Sequence, residues 1–87
     1  MYNVRFLNEA VDDLSSLDKL ASKRILDKIM WIQENIDNIQ PEELSGKMAG
    51  FYKLRVGSYR VIYEILKDEK IILIHAVGHR SKIYKKL

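Results

Sequence analysis

The segment Phe51–Leu66, FYKLRVGSYRVIYEIL, constrains the fold more than any other part of the chain. Apolar and polar residues alternate on both sides of Gly57-Ser58, and a period of two is typical of half-buried strands. Glycine followed by serine at the point of reversal suits a two-residue type II′ turn. The sequence therefore predicts an antiparallel hairpin in which Val56 lies opposite Tyr59.

The predicted register divides this hairpin into two chemically different faces. It places Arg55 directly opposite Arg60, and like charges so placed destabilise a sheet by up to roughly 1 kcal/mol. We expect an anion to compensate, either a neighbouring carboxylate or a bound phosphate. Glu64 is a poor partner for Arg60, because it lies about 13 Å further along the strand. The charged face contains Lys53, Arg55 and Arg60, and the apolar face contains Tyr52, Leu54, Val56, Tyr59, Val61, Tyr63 and Ile65.

The segment before the hairpin predicts a strand followed by two helices. YNVRFL alternates loosely and suits a short strand, and Asn8 is a natural N-cap for a helix that ends near Leu17. Asp18 can cap a second helix, which Pro41 prevents from continuing. Isoleucines recur along one side of this second helix at spacings of three and four residues. The predicted seam consists of Ala21, Ile25, Ile29, Ile32, Ile36 and Ile39.

The last strand, IILIHAV, is almost continuously apolar, which favours burial on both sides. Its register stays open, because a slip of one residue exchanges the two faces, and His75 therefore has no assigned side. A polar tail or a short helix follows Gly78. The prediction is one α+β domain over residues 1–87, of order β-α-α-β-β-β. An N-terminal helical hairpin packs on one face of an antiparallel sheet of about four strands.

Charge is strongly polarised along the chain. Residues 1–46 carry a net charge of −4, whereas residues 47–87 carry +7. A concentrated positive field favours polyanions, with nucleic acid ahead of a membrane surface. There is no cysteine, and the two histidines, His75 and His79, are too few for a zinc site, so we expect neither a metal nor a cofactor. No secretory signal or bilayer-spanning run is evident, and a cytoplasmic protein is expected.

The candidate chemical groups are cationic and aromatic, since no glycine-rich phosphate loop or serine-histidine-acid set occurs. Such groups suit binding or cleaving a phosphodiester without a metal. Arginines can hold the phosphate and stabilise the transition state, and a lysine among like charges can act as base on a ribose 2′-OH. A tyrosine, histidine or arginine can then protonate the leaving 5′-oxygen. Because the attacking group is a 2′-OH, the substrate is RNA and not DNA. The candidates are Lys53, Arg55, Arg60, His79, Arg80 and Tyr84.

Other residues have secondary parts in this interpretation. The remaining lysines near the C-terminus, with one before the hairpin, attract phosphate without a specific role. Trp31 lies beside the seam of the second helix, which favours a place in the core or against a partner over a base-stacking platform. The phosphate-attracting lysines are Lys47, Lys82, Lys85 and Lys86.

The stretches GFYKLRVGSYRVIYEI and VGHRSKIY together resemble toxins of the RelE/ParE superfamily. The resemblance implies a toxin of a toxin–antitoxin pair, with a RelB-like antitoxin as partner. RelE-type members are ribosome-dependent endoribonucleases that cut mRNA through 2′-OH attack. Carried over by position, Lys53 matches a lysine associated with 2′-OH activation and Arg60 an arginine that steadies the scissile phosphate. Arg80 matches a second phosphate or leaving-group arginine, Tyr84 a tyrosine that stacks on or orients the substrate, and His79 a position where some members have lysine.

This sequence differs from RelE-type members at the residue expected to act as general base. Those members carry two lysines one residue apart, whereas here Arg55 accompanies Lys53, and arginine is a poor base. Which lysine Lys53 replaces stays open. Two other functions are therefore kept: a ParE-like inhibitor of DNA gyrase, and an inactive relative that only binds its antitoxin and represses an operator.

Overall fold

The computed structural model describes all 87 residues and contains one five-stranded sheet of order β1-β5-β4-β3-β2. Two helices pack on one face of the sheet, and a short third helix packs on the other. A single 3₁₀ turn at Gly46–Met48 precedes the central hairpin. None of the helices combines the length and apolar character needed to cross a bilayer. The elements are β1 (Asn3–Phe6), α1 (Asn8–Ser15), α2 (Lys19–Asn35), β2 (Glu42–Glu43), β3 (Phe51–Val56), β4 (Tyr59–Leu66), β5 (Ile71–His79) and α3 (Ile83–Lys86).

The central hairpin has the predicted register. Val56 pairs with Tyr59, and Arg55 pairs with Arg60. Gly57 has a φ of +59°, whereas Ser58 does not have a positive φ, which is the combination a type II′ turn requires. A side chain at the first turn position would be strained, so the glycine sets the reversal point and with it the register of both strands.

The main core lies between the apolar face of the hairpin and the two helices. The predicted α2 seam is confirmed, since Ile25, Ile29 and Ile32 are buried in a cluster of ten residues that includes Val61 and Tyr63. Asp18 caps α2 as expected, because its Oδ1 accepts a hydrogen bond from the Ala21 N–H at 2.8 Å. The apolar side of α2 therefore packs against the apolar side of β3 and β4 in one layer.

The prediction that Asn8 caps α1 is wrong. Leu7 occupies the N-cap position without a side-chain hydrogen bond, and Asn8 is already the first helical residue. The Leu7 N–H still donates to the Ile74 carbonyl at 3.0 Å, so pairing with β5 holds Leu7 extended. Its own carbonyl then accepts from the Ala10 and Val11 N–H groups and starts the helix.

The α+β class is confirmed, but the sheet has five strands instead of about four and is not wholly antiparallel. The additional strand, β2, has only two residues and pairs with β3, a length too short to show any periodicity in sequence. β1 runs parallel to its neighbour β5, with all the other elements except α3 between them in the chain. A direct hairpin between the two is therefore impossible.

A register shift in β5 decides which residues face α3. Ile62 pairs with Ala76 and Tyr63 with Ile74, so His75 is the extra residue of a bulge. Ala76 joins Ile62 and Ile83 in a small cluster beneath α3, on the face opposite the main core. Gly78 permits this contact, because a Cβ there would lie only 3.2 Å from the Ile83 Cδ1 atom.

Candidate nucleic-acid interface

Four of the predicted site residues lie on one face of the sheet, because side chains alternate along β3 and β4 and because α3 packs on that face. Lys53, Arg55 and Arg60 alternate away from the main core, and buried Ile83 holds α3 on that side. The next residue, Tyr84, is 45% exposed, and the Lys53 Nζ atom lies 5.9 Å from its ring centroid. We call these four residues, Lys53, Arg55, Arg60 and Tyr84, the cationic face.

Glu42 lies at the edge of the cationic face and was missed by the sequence interpretation. Its carboxylate accepts two hydrogen bonds from Arg55, Nε at 3.1 Å and Nη2 at 3.0 Å, and lies 3.2 Å from the Lys53 Nζ atom. The hydrogen bond from Arg55, followed by that from Lys53, lowers the pKa of Glu42 to about 2. This carboxylate is the expected compensation for one arginine of the Arg55–Arg60 pair.

Arg60 has no acidic partner, although it is only 8% exposed. Its Nη1 donates to the carbonyls of Gly57 and Tyr59, both at 2.8 Å. These bonds turn the side chain toward the hairpin turn and away from Arg55. Nε and Nη2 make no hydrogen bond within the protein yet are not fully enclosed. A largely buried guanidinium with fixed orientation and free donors is suited to bind an anion.

Arg80 lies at the hairpin end of the sheet. Its backbone N–H donates to the Ser58 carbonyl at 2.8 Å, and its exposed guanidinium has no hydrogen-bond or ion-pair partner. Lys47 is exposed in the 3₁₀ turn, which precedes the opposite end of β3. Lys85 is exposed in α3 and unpaired. These three cations border the sheet without belonging to the cationic face.

His79 and Lys86 are directed elsewhere. His79 pairs with Tyr59, whose side chain packs against the main core, and the two rings lie edge to face with centroids 6.0 Å apart. The structure therefore separates His79 from Lys53 by the thickness of the sheet. Lys86 forms an ion pair with Asp13 of α1, and with His79 and Lys82 it lines a concavity between α1 and the C-terminal segment.

Asp13 has a structural reason for its position. β1 ends at Phe6, so the Val77 N–H on that side of β5 has no strand to pair with. The Asp13 Oδ2 atom accepts this N–H at 2.9 Å, and its other oxygen binds Lys86. The carboxylate thus completes the sheet and fastens the last turn of the chain, which holds α3 against the molecule.

His75, whose side was open in the sequence, lies on the same face as α3. Its Nε2 is 3.0 Å from the Glu64 Oε1 atom, and its ring packs edge-on against Phe51. Glu64 is therefore the partner of His75 and not of Arg60. No group of three or more histidine, cysteine or acidic side chains is arranged to hold a metal ion.

The chain is similar in sequence and in structure to known toxins. Residues 4–84 match the family model described as ParE toxin of type II toxin-antitoxin system, parDE. The chain belongs to this toxin family. The match covers the central hairpin, the cationic face and α3 up to Tyr84, and the resemblance to the RelE/ParE superfamily is confirmed.

Relatives of this ParE-family toxin cover nearly its whole length. Toxin RelG of Mycobacterium tuberculosis is 30% identical, with 98% of each chain covered. A putative RelE-like toxin protein of Escherichia coli is 28% identical over 93% of this chain and 85% of its own. Among solved structures, the RelBE2 toxin–antitoxin complex of Mycobacterium tuberculosis matches with a TM-score of 0.81 and 26% identity, over 91% of this chain and 98% of the matched chain. The protein is thus a RelE-like toxin of a toxin–antitoxin system.

Proposed function

We propose that this toxin is an endoribonuclease that cuts mRNA on the ribosome without a metal ion. One observation carries the proposal: Arg60 is largely buried, oriented by two carbonyls and left without a counter-ion, on the face that also holds Lys53 and Tyr84. Uncompensated buried charge is costly, and it is commonly retained where a ligand supplies the opposite charge. A phosphodiester is the ligand that this charge and geometry suit.

In the proposed reaction, the ribose 2′-oxygen attacks the adjacent 3′ phosphate. The bond from the 2′-oxygen to phosphorus forms, the bond to the 5′-oxygen breaks, and the products are a 2′,3′-cyclic phosphate and a free 5′-OH. The free donors of Arg60 hold the phosphate and stabilise the negative charge of the transition state. Lys53, as the neutral amine after RNA has displaced Glu42 and a proton has left to solvent, accepts the 2′-OH proton, and either Tyr84 or Arg80 protonates the leaving oxygen.

Glu42 does not serve as the base in this scheme. A carboxylate whose pKa is about 2 has little affinity for a proton at neutral pH, so it is a weak general base. Its role is to hold Lys53 and Arg55 side by side until the RNA phosphate competes for them. His79 is not assigned a role, because it lies on the helical side of the sheet.

The expected partners are the ribosome, mRNA and a cognate RelB-like antitoxin. Support for the antitoxin comes from structural neighbours that were solved as toxin–antitoxin complexes. The net charge of +7 over residues 47–87 suits an acidic or amphipathic antitoxin segment. Such a segment would cover the cationic face and shield Arg60 and Arg80 from solvent exchange.

Primer extension on mRNA incubated with programmed ribosomes and purified toxin tests the nuclease. We expect cuts at codon positions, and a loss of about 10²-fold or more in Lys53→Ala, the scale of a lost general base. Lys67→Ala is the matched control, because Lys67 is exposed in the β4–β5 turn and carries the same charge. Intact mRNA with the native toxin would overturn the proposal.

Inhibition of DNA gyrase is the second candidate, favoured by the ParE description of the matching family model. The ion pairs of Glu42 with Lys53 and Arg55 also fit a surface that catalyses nothing. A supercoiling assay separates the two functions. Inhibition that survives the double change Arg60→Ala and Arg80→Ala, together with uncut mRNA, would establish the gyrase alternative.

A further inference from the structure

Trp31 is the only tryptophan of the chain, and it is not part of either apolar core. It lies on α2 next to the buried seam residue Ile32, yet 44% of it is exposed. Of the two places that the sequence favoured, this exposure excludes the core and leaves a position against a partner. A large aromatic ring left open to solvent beside charged side chains is a common feature of binding surfaces.

Trp31 borders two adjoining cavities that lead to the cationic face. The larger, of about 480 Å³, lies between α2 and the hairpin turn and is lined by Arg24, Lys28, Trp31 and Arg55 among others. The smaller, of about 280 Å³, shares Lys28, Trp31 and Arg55 and extends to Lys53. A bound chain can therefore pass from Lys53 along Arg55 to Trp31 without leaving the surface concavity.

Of the cations around Trp31, Arg55 pairs with Glu42, whereas the two on α2 have no acidic partner. Asp27, which also lines the larger cavity, pairs with Lys23 at 3.0 Å. Arg24 and Lys28 form no ion pair. The Lys28 Nζ atom lies 4.3 Å from the centroid of the Trp31 ring, a cation–π contact that a phosphate can replace.

Arg24 lies close to the hairpin turn. The Arg24 Nη2 atom lies 3.6 Å from the position that a Cβ on Gly57 would occupy. The guanidinium thus extends from α2 across to the end of β3, near Arg55 of the same cavity. Arg24 therefore places a second arginine beside the cationic face.

We propose that Trp31, Arg24 and Lys28 form a nucleotide subsite for single-stranded RNA, continuous with the cationic face through Arg55; this rests on the proposed nuclease function. A base stacks on Trp31, and Arg24 and Lys28 bind the flanking phosphates. Stacking on an aromatic ring within a positively charged groove is the general way in which proteins hold single strands without reading their sequence. An apolar partner helix fits less well, because only two of the seven residues lining the larger cavity are hydrophobic.

The test uses Trp31 as its own reporter. A 2′-O-methyl RNA oligomer cannot be cleaved, and its stacking on the single indole is expected to quench the fluorescence of the toxin. A dinucleotide, long enough only for the cationic face, is expected to bind without quenching. Fluorescence anisotropy of a labelled oligomer gives the affinities of variants. We expect Trp31→Ala and Arg24→Ala each to weaken binding about tenfold or more, and Trp31→Phe to retain most of it.

Arg5→Ala is the matched control, since Arg5 is exposed and unpaired on β1, at the opposite edge of the sheet. Its affinity should match that of the native chain. Unchanged Trp31 fluorescence with a saturating oligomer, or native affinity in Trp31→Ala, would overturn the subsite. So would quenching by an acidic peptide but not by RNA.

The two proposals fail in different ways. If mRNA stays intact on ribosomes while the oligomer quenches Trp31, the nuclease is wrong and the RNA subsite stands. If mRNA is cut and Trp31→Ala both cuts and binds like the native toxin, the subsite is wrong and the nuclease stands.

Discussion

The two faces of the sheet differ in how much each contributes to stability. On the helical face, ten buried residues from α1, α2 and the strands β3, β4 and β5 form one continuous core. On the α3 face, only three buried residues form a cluster, and they anchor a helix of four residues. Burial of apolar surface is the main stabilising contribution in a domain of this size. The helical face therefore supplies most of the stability.

Charged side chains lie on the α3 face of the sheet and are absent from the core on the helical face. Arg55 and Arg60 lie opposite each other, and only Arg55 has a carboxylate partner. An arrangement of this kind reduces stability, and the large core on the other face offsets that cost. We therefore expect the removal of atoms from the helical face to affect folding, and their removal from the α3 face to affect the proposed activity first.

The largest effect is expected from a change in the helical face. Ile29→Ala removes a buried side chain between α2 and the sheet, and we expect it to lower the free energy of unfolding by about 2–5 kcal/mol. Urea denaturation followed by circular dichroism measures this change. Met30→Ala is the adjacent control, because Met30 is 55% exposed, and we expect a shift of at most about 0.5 kcal/mol. Equal effects of the two substitutions would refute the assignment of the core.

A smaller loss of stability is expected from the α3 face. Ile83 is as fully buried as Ile29, but it anchors a terminal helix that can detach while the main core stays folded. We expect Ile83→Ala to lower the free energy of unfolding by about 1–2 kcal/mol, less than the cost of a cavity in the main core. Tyr84 then moves away from Lys53. We therefore expect the proposed mRNA cleavage to fall strongly even though most of the molecules stay folded.

Amide hydrogen exchange distinguishes this local change from a general one. In Ile83→Ala, exchange should accelerate over residues 83–87 and stay slow in β4. A uniform acceleration over β4 and β5 would mean that the two faces fold and unfold as one unit, and the comparison between them would lose its basis.

The smallest effect concerns the Glu42 carboxylate. Its pKa of about 2 lies below the ordinary value of 4.5, so its ion pairs stabilise the folded toxin above pH 4.5 and are lost as pH falls through 2. The carboxyl carbon shift in NMR should titrate near pH 2. Arg55→Ala should raise that midpoint toward 4.5, and more than Lys53→Ala does, since Arg55 is the stronger cause. A midpoint that neither substitution moves would show that the three side chains are not paired.

The parts of the fold that could be predicted from the sequence are those set by interactions between residues close together along the chain. The hairpin register, the α2 seam and the Asp18 cap are set by residues close in sequence, and all three were predicted correctly. Glu42 could not be assigned to Lys53, because β2 is too short to show a period and it meets β3 only through the fold. Asn8 was misassigned because strand pairing of Leu7 overrides the local preference for a polar cap.

The sequence predicted which residues belong to the candidate site better than it predicted where on the sheet they lie. Lys53, Arg55, Arg60 and Tyr84 do lie together, but His79 points to the other side of the sheet. The bulge at His75 shifts β5 by one residue relative to β4, and side chains beyond a bulge change faces. No pattern in IILIHAV indicates where that extra residue lies. For Trp31 the sequence left the core and a partner surface open, since the width of the buried stripe on a helix depends on what packs against it.

By itself, the sequence determined the longer elements, their amphipathic faces and the concentration of positive charge in the second half of the chain. These properties follow from alternation, helical spacing and turn chemistry, which act between neighbouring residues. Only the tertiary structure decided which cations are neutralised, which stay free and which face each occupies. Those outcomes depend on the parallel pairing of β1 with β5, the bulge in β5 and the carboxylate of Glu42, all of which involve residues far apart along the chain.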